Sequence, residues 1–167
     1  MEISADRVKE LREKSGAGVM DCKRALVEAD GNIDRAIAIL REQGLAQAAK
    51  RAGRQAMEGC VETYVHAGGK IGVMVEINCE TDFVARTPDF KTLAHDVAMQ
   101  IAATNPSTVG EAEPAEGSAP TDDELPLMQQ PFIKDPKKTI ADLVRETAAK
   151  TGENVVIRRF TRYELGS

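Results

Sequence analysis

Tryptophan is absent and aromatic residues make up only 4% of the 167, so any aromatic side chain left on the surface is a scarce resource and a candidate contact. Cysteine is sparse too: Cys22, Cys60 and Cys79 are odd in number, widely spaced and without a C-x-x-C pair. That excludes a disulfide framework and points to a reducing compartment, by default the cytoplasm. No apolar run approaches the ~18 residues a membrane span needs, and no charged segment followed by an apolar one opens the chain, so neither export nor membrane embedding is expected. The net charge of −5 is unevenly spread, because Glu111, Glu113, Glu116, Asp122, Asp123 and Glu124 share one stretch devoid of Lys and Arg. Setting those six aside leaves the remainder at +1, which supplies neither a nucleic-acid footprint nor a patch for anionic membranes. Nothing is missing for folding itself, since 42% hydrophobic and 29% charged residues are ordinary globular usage.

What is present reads as a small helical module followed by an α+β core. In residues 1–44, Ser4 is placed to cap a first helix with Ile3 and Val8 as a hydrophobic staple, and Val8 and Leu11 give it an apolar stripe. Gly16-Ala17-Gly18 turns the chain. Val19, Cys22, Leu26 and Ala29 lie at helical spacing in a second helix, and Gly31-Asn32 leads into a third with Ile33, Ala36, Ile37 and Leu40, ending at Gly44. Residues 45–58 read as a helical linker with little apolar face. In 59–167 the period changes: residues 59–66 and 70–79 are strand-like and joined by Ala67-Gly68-Gly69, an antiparallel hairpin whose second strand places Ile71, Val73, Val75 and Ile77 on one face. Thr87 and Pro88 open a helix with Phe90, Leu93, Ala94, Val97 and Ile101 on its core side. Residues 105–131 hold five of the seven prolines and the acidic cluster, and read as a surface loop. Thr139 with Asp142 resembles a capping box for a last helix ended by Gly152, and residues 155–163 form a closing strand. The expected architecture is α+β, an antiparallel sheet with helices on one face.

Few segments carry chemistry. Gly69-Lys70 and Gly16-x-Gly18 lack the surroundings of a phosphate loop and are turn glycines. Cys60, His66, Cys79 and His95 lack the paired spacing of a structural zinc site, and no basic or helix N-terminal setting activates Cys79 as a nucleophile. Arg158, Arg159 and Arg162 read as a solvated edge that discourages aggregation. The segment Glu80-Thr81-Asp82-Phe83-Val84-Ala85-Arg86 is different. A phenylalanine next to a carboxylate, on a short turn off the end of a strand, is a poor catalyst but a good wedge into another protein, if Phe83 is exposed and does not pack beneath the sheet. Val19 and Met20 pose the same question on the second helix, where only one is expected to face the core.

Residues 11–26 (LREKSGAGVMDCKRAL), 75–86 (VEINCETDFVAR), Gln130-Pro131-Phe132 and Gly152-Glu153-Asn154 resemble the translation elongation factor Ts family, in its short bacterial form. The resemblance covers nearly the whole chain in order. It implies an N-terminal three-helix module similar to a ubiquitin-associated domain and one activity: guanine-nucleotide exchange on elongation factor Tu, from which GDP and magnesium are released. No cofactor is implied, because GDP and magnesium belong to the partner. Thr81, Asp82, Phe83 and Val84 match the family's magnesium-dislodging segment, while Lys9, Arg12, Val19 and Met20 match the module's contacts with the GTPase, Val19 standing where a methionine is common. Short members work as homodimers, so a homodimer is expected here. The alternative is a ubiquitin-associated-like binding module without exchange activity.

Overall fold

A computed structural model describes residues 3–110 and 125–167. The acidic cluster therefore lies outside the described residues. The chain begins with α1 (Ala5–Ser15), α2 (Val19–Glu28) and α3 (Ile33–Arg51). Their starts follow the sequence: the Ser4 side chain accepts from the Arg7 N–H, and Asn32 accepts from the Arg35 N–H. Leu11, Cys22, Ala25, Leu26, Ala29 and Ala36 close a small core between them, with Ile3 and Val8 packed at its rim.

The third helix does not end at Gly44. It continues to Arg51, so the third helix and the helical part of the expected linker form one element. Glycine at 44 is there because α3 crosses α6 (Ile140–Thr151) at that point: a Cβ on residue 44 would lie 3.1 Å from the Ala149 Cβ. Ala48, further along, is buried in the main core. Thus α3 packs on α1 and α2 with one half and on α6 with the other.

The main sheet has the order β1-β2-β5, with β1 (Glu58–Val65) and β5 (Val156–Glu164) both antiparallel to the central β2 (Ile71–Cys79). Alternation along β2 sends Val73, Val75, Ile77 and Cys79 to the buried face, as the pattern requires. Helix α5 (Pro88–Thr104) covers that face with Phe90, Leu93, Ala94, Val97 and Ile101, all buried, and α6 packs beside it. The Thr87 cap and the full capping box at Thr139 and Asp142 are both formed. The fold is α+β with helices on one face of an antiparallel sheet. No helix among the described residues is long and apolar enough to cross a membrane.

The flanks of the expected surface loop prove to be packed. Leu127 is fully buried and donates its N–H to the Thr108 carbonyl at 2.9 Å, ahead of a small hairpin of β3 (Pro131–Phe132) and β4 (Asp135–Thr139). Buried Gln130 accounts for this: its Oε1 accepts from Gln100 Nε2 at 3.1 Å and Thr104 Oγ1 at 2.7 Å, and its Nε2 donates to the Leu125 carbonyl at 3.0 Å. A buried amide with every group partnered fixes that segment against α5.

The last strand also departs from the solvated-edge reading. A bulge opposite Glu76 and Ile77 brings Arg158 and Arg159 to the same outer face, where both pair with Glu76 at 3.6 and 2.8 Å. Arg162 turns the other way, and its guanidinium donates to the Ala102 carbonyl near the end of α5, satisfying a helix-terminal acceptor.

Candidate functional site

The site begins where β2 stops. Thr81 is extended (φ −129°, ψ 154°), and its hydroxyl accepts from the Val84 N–H at 3.4 Å, starting the single turn α4 (Asp82–Ala85). Thr87 then accepts from the Phe90 N–H and begins α5 immediately afterwards. One helical turn spaces neighbouring side chains about 100° apart, so they cannot share a face. Val84 points down and is buried in the main core. Phe83 is consequently held outward, 77% exposed, the most exposed of the four phenylalanines. Asp82, half-buried at the first position of the turn, pairs with Arg86 at 2.8 Å across the exposed side.

The turn is braced from a distant part of the chain. After α6 ends at the left-handed Gly152 (φ 75°), the Glu153 carboxylate accepts the N–H groups of Glu80 and Thr81, each at 3.0 Å, and the Thr81 hydroxyl at 2.6 Å. Asn154 donates its N–H to Glu80 Oε1 at 2.7 Å and its side-chain amide to the carbonyls of Ala52 and Arg54, tying the same point to the end of α3. Arg54 adds an ion pair to Glu80 at 3.7 Å.

Cys79 and Cys60 are unsuited to nucleophilic chemistry. Burial, and after it the nearby Glu153 charge, pushes Cys79 up to about 11, and burial also raises Cys60. Both stay protonated near neutrality. His66 and His95 flank Tyr64 on the surface rather than approaching Cys79 as ligands or bases. No three His, Cys, Asp or Glu side chains among the described residues converge as metal ligands.

On the helical module, Lys9 and Arg12 are exposed one turn apart on α1. Val19 and Met20 are both exposed, at 52% and 64%, against the expectation that one would face the core. The buried stripe of α2 is Cys22, Ala25 and Leu26, and the first turn stands beyond it. Val27, two turns from Met20 and also exposed, extends the apolar stripe and was not singled out from the sequence, although its i, i+7 spacing from Met20 was legible. Glu153 was visible only as part of a motif.

The family model described as "Elongation factor TS" matches residues 5–117, more than half of the chain. Among curated proteins, an elongation factor Ts of Herpetosiphon aurantiacus is 48% identical over 197 positions, covering all of both chains. One of Carboxydothermus hydrogenoformans is 52% identical over 194 positions (98% of this chain, 89% of the relative), and one of Desulfitobacterium hafniense 50% over 195 (99% and 90%). Each alignment is longer than the 167 residues here, so these relatives carry residues without counterpart in this chain. With such identity running through both the helical module and the sheet with its braced turn, the chain belongs to the elongation factor Ts family.

Proposed function

We propose that this chain is a guanine-nucleotide exchange factor of translation elongation: it binds elongation factor Tu carrying GDP and promotes release of GDP and magnesium. It performs no covalent chemistry and holds no cofactor. Such a factor acts by binding the nucleotide-free partner more tightly than the GDP-bound one, and linkage then requires GDP to weaken the factor's affinity by the same amount. An acceleration of ~10⁴ corresponds to roughly 5.5 kcal/mol of barrier reduction.

The observation that carries this reading is an exposed phenylalanine beside a carboxylate on a turn held by a buried valine below and a carboxylate brace behind. Phe83 is the wedge, and Asp82 works next to it within the segment Thr81–Val84. Lys9, Arg12, Val19 and Met20 supply the docking contact of the module, a mixed cationic and apolar surface. A homodimer forms through the uncovered face of the sheet, where Met57, Val61, Val65, Met74 and Tyr163 are exposed together. The setting is the cytoplasm, in keeping with three unpaired cysteines, and the activity needs neither nucleic acid nor membrane.

The test is stopped-flow release of a fluorescent GDP from elongation factor Tu with magnesium, at increasing concentration of this protein. Saturable acceleration is expected; none, from folded protein, refutes the proposal.

A further inference from the structure

In the Gly152-Glu153-Asn154 motif, Glu153 lies 72 residues from Thr81 and the motif has no exposed apolar group of its own to offer a partner, yet its carboxylate takes three hydrogen bonds from the base of the turn that carries Phe83. We infer that Glu153 is a positioning residue for nucleotide exchange: its carboxylate fixes the Thr81 hydroxyl and the main chain at 80–81, and so sets the direction in which Phe83 and Asp82 project. The inference rests on the exchange reading above.

Two properties of a carboxylate matter. It accepts only, so the single hydroxyl hydrogen of Thr81 must point at Glu153 Oε1, 2.6 Å away, which leaves a lone pair for the Val84 N–H at 3.4 Å and thereby starts α4 in one orientation. It also has capacity for the two main-chain N–H groups of Glu80 and Thr81 on its other oxygen, donors that the end of a strand would otherwise leave to water. No other side chain of the same length does both. Glutamine offers one oxygen; if that oxygen keeps the two N–H groups, its NH₂ faces the Thr81 hydroxyl and the hydroxyl hydrogen loses its acceptor. Other contacts here, Asn154 N–H to Glu80, the Arg54–Glu80 ion pair, and the Cys79 Sγ–H and Ala85 N–H to the Thr81 carbonyl at 3.1 and 3.3 Å, hold the main chain and the Glu80 side chain but not the hydroxyl that sets the turn. A four-residue helix has too few internal hydrogen bonds to hold itself. With the brace weakened, the competent orientation becomes one of several, and the exchange step falls by the fraction lost, while docking through the helical module is untouched.

The experiment measures release of fluorescent GDP from elongation factor Tu by the full chain and its Glu153→Gln and Glu153→Ala variants, each also in a Phe83→Ala background. Expected for Glu153→Gln is a maximal rate lowered on the order of tenfold with half-saturation changed less than about twofold, and a larger drop for Glu153→Ala. In the Phe83→Ala background the Glu153 substitutions should add almost nothing, because they act through the same ring. In the free protein, amide hydrogen exchange at Glu80, Thr81 and Val84 should quicken in Glu153→Gln while the α5 amides keep their protection. An unchanged maximal rate in Glu153→Gln with Phe83→Ala clearly impaired overturns the inference and leaves the exchange reading standing, as does a loss of equal size in both backgrounds. If wild type gives no acceleration, the exchange reading fails by itself, and unchanged amide protection in Glu153→Gln overturns the brace independently.

Discussion

Replacing Phe83 by alanine should separate exchange from stability more cleanly than any other single change. With 77% of the residue exposed, the free protein loses little apolar burial on truncation, and the Val84 contact that anchors the turn is unaffected. Melting should shift by no more than a surface substitution allows, within about 0.5 kcal/mol. Against a partner the arithmetic differs. Burying the exposed part of the ring removes on the order of 150 Å² from water, worth roughly 4 kcal/mol at about 25 cal/mol/Å², and imperfect fit could halve that. A loss of about 2 to 4 kcal/mol from the transition state for GDP release slows the maximal rate roughly thirtyfold to several hundredfold. Stopped-flow release of fluorescent GDP at saturating factor reads this directly, and thermal melting followed by circular dichroism reads the other arm. An unchanged maximal rate would refute the wedge, and a melting temperature lowered by many degrees would refute the claim that Phe83 contributes nothing to the core.

Gly59 has φ +141°, and a Cβ there would sit 2.0 Å from the Ile77 carbonyl oxygen, so Gly59→Ala should cost at least about 3 kcal/mol and lower the melting temperature by roughly 10 °C; an unshifted melt would refute the close approach of β1 and β2. The Asp142 carboxyl is held below its ordinary value chiefly by the Thr139 N–H, so the capping box stabilises above the unfolded-state value and is lost as pH falls through the lowered one. Asp142→Ala should therefore cost about 1 kcal/mol at neutral pH and nothing in strong acid, and a penalty that persists in acid, followed by denaturant titration, would contradict this. Cys79, protonated until about pH 11, should resist a thiol reagent at pH 8 in the native protein and react at once after denaturation, whereas rapid native labelling of that residue would show an accessible thiol. Met74→Asp, on the open face of the sheet, should keep the chain monomeric in sedimentation at concentrations where wild type is dimeric, and a monomeric wild type would remove the homodimer from the proposal.

The sequence made the parts with short-range causes legible. Alternation in β2, the stripe of α5, the Thr87 and Thr139 caps and the position of the turn after β2 all rest on residues within a few positions of one another. Where the reading departed from the structure, the cause lay far along the chain. Gly44 reads locally as a helix stop, but it is a point of close approach to Ala149, a hundred or so residues on. Leu127 looks like a loop residue until Gln130 is seen clasped by Gln100 and Thr104. Arg162 reads as a surface charge until the end of α5 arrives beneath it. The brace on the turn belongs to the same class: Thr81 and Glu153 are 72 residues apart, and only the fold brings the carboxylate to the base of the turn.

The unbroken α3 has a mechanical consequence. Because one helix serves both the module carrying Met20 and the core carrying Phe83, the two surfaces are not tethered by flexible chain but ride on a common shaft. In the proposed exchange, engagement by the first would present the second at a fixed offset, so that the second encounter would proceed at an effective concentration set by geometry instead of by a wandering linker, with little ordering entropy left to lose. The same stiffness makes spacing a strict requirement: inserting one residue into α3 would rotate the two surfaces by about 100° relative to each other and shift them by about 1.5 Å, leaving each intact and the pair unable to meet one partner together.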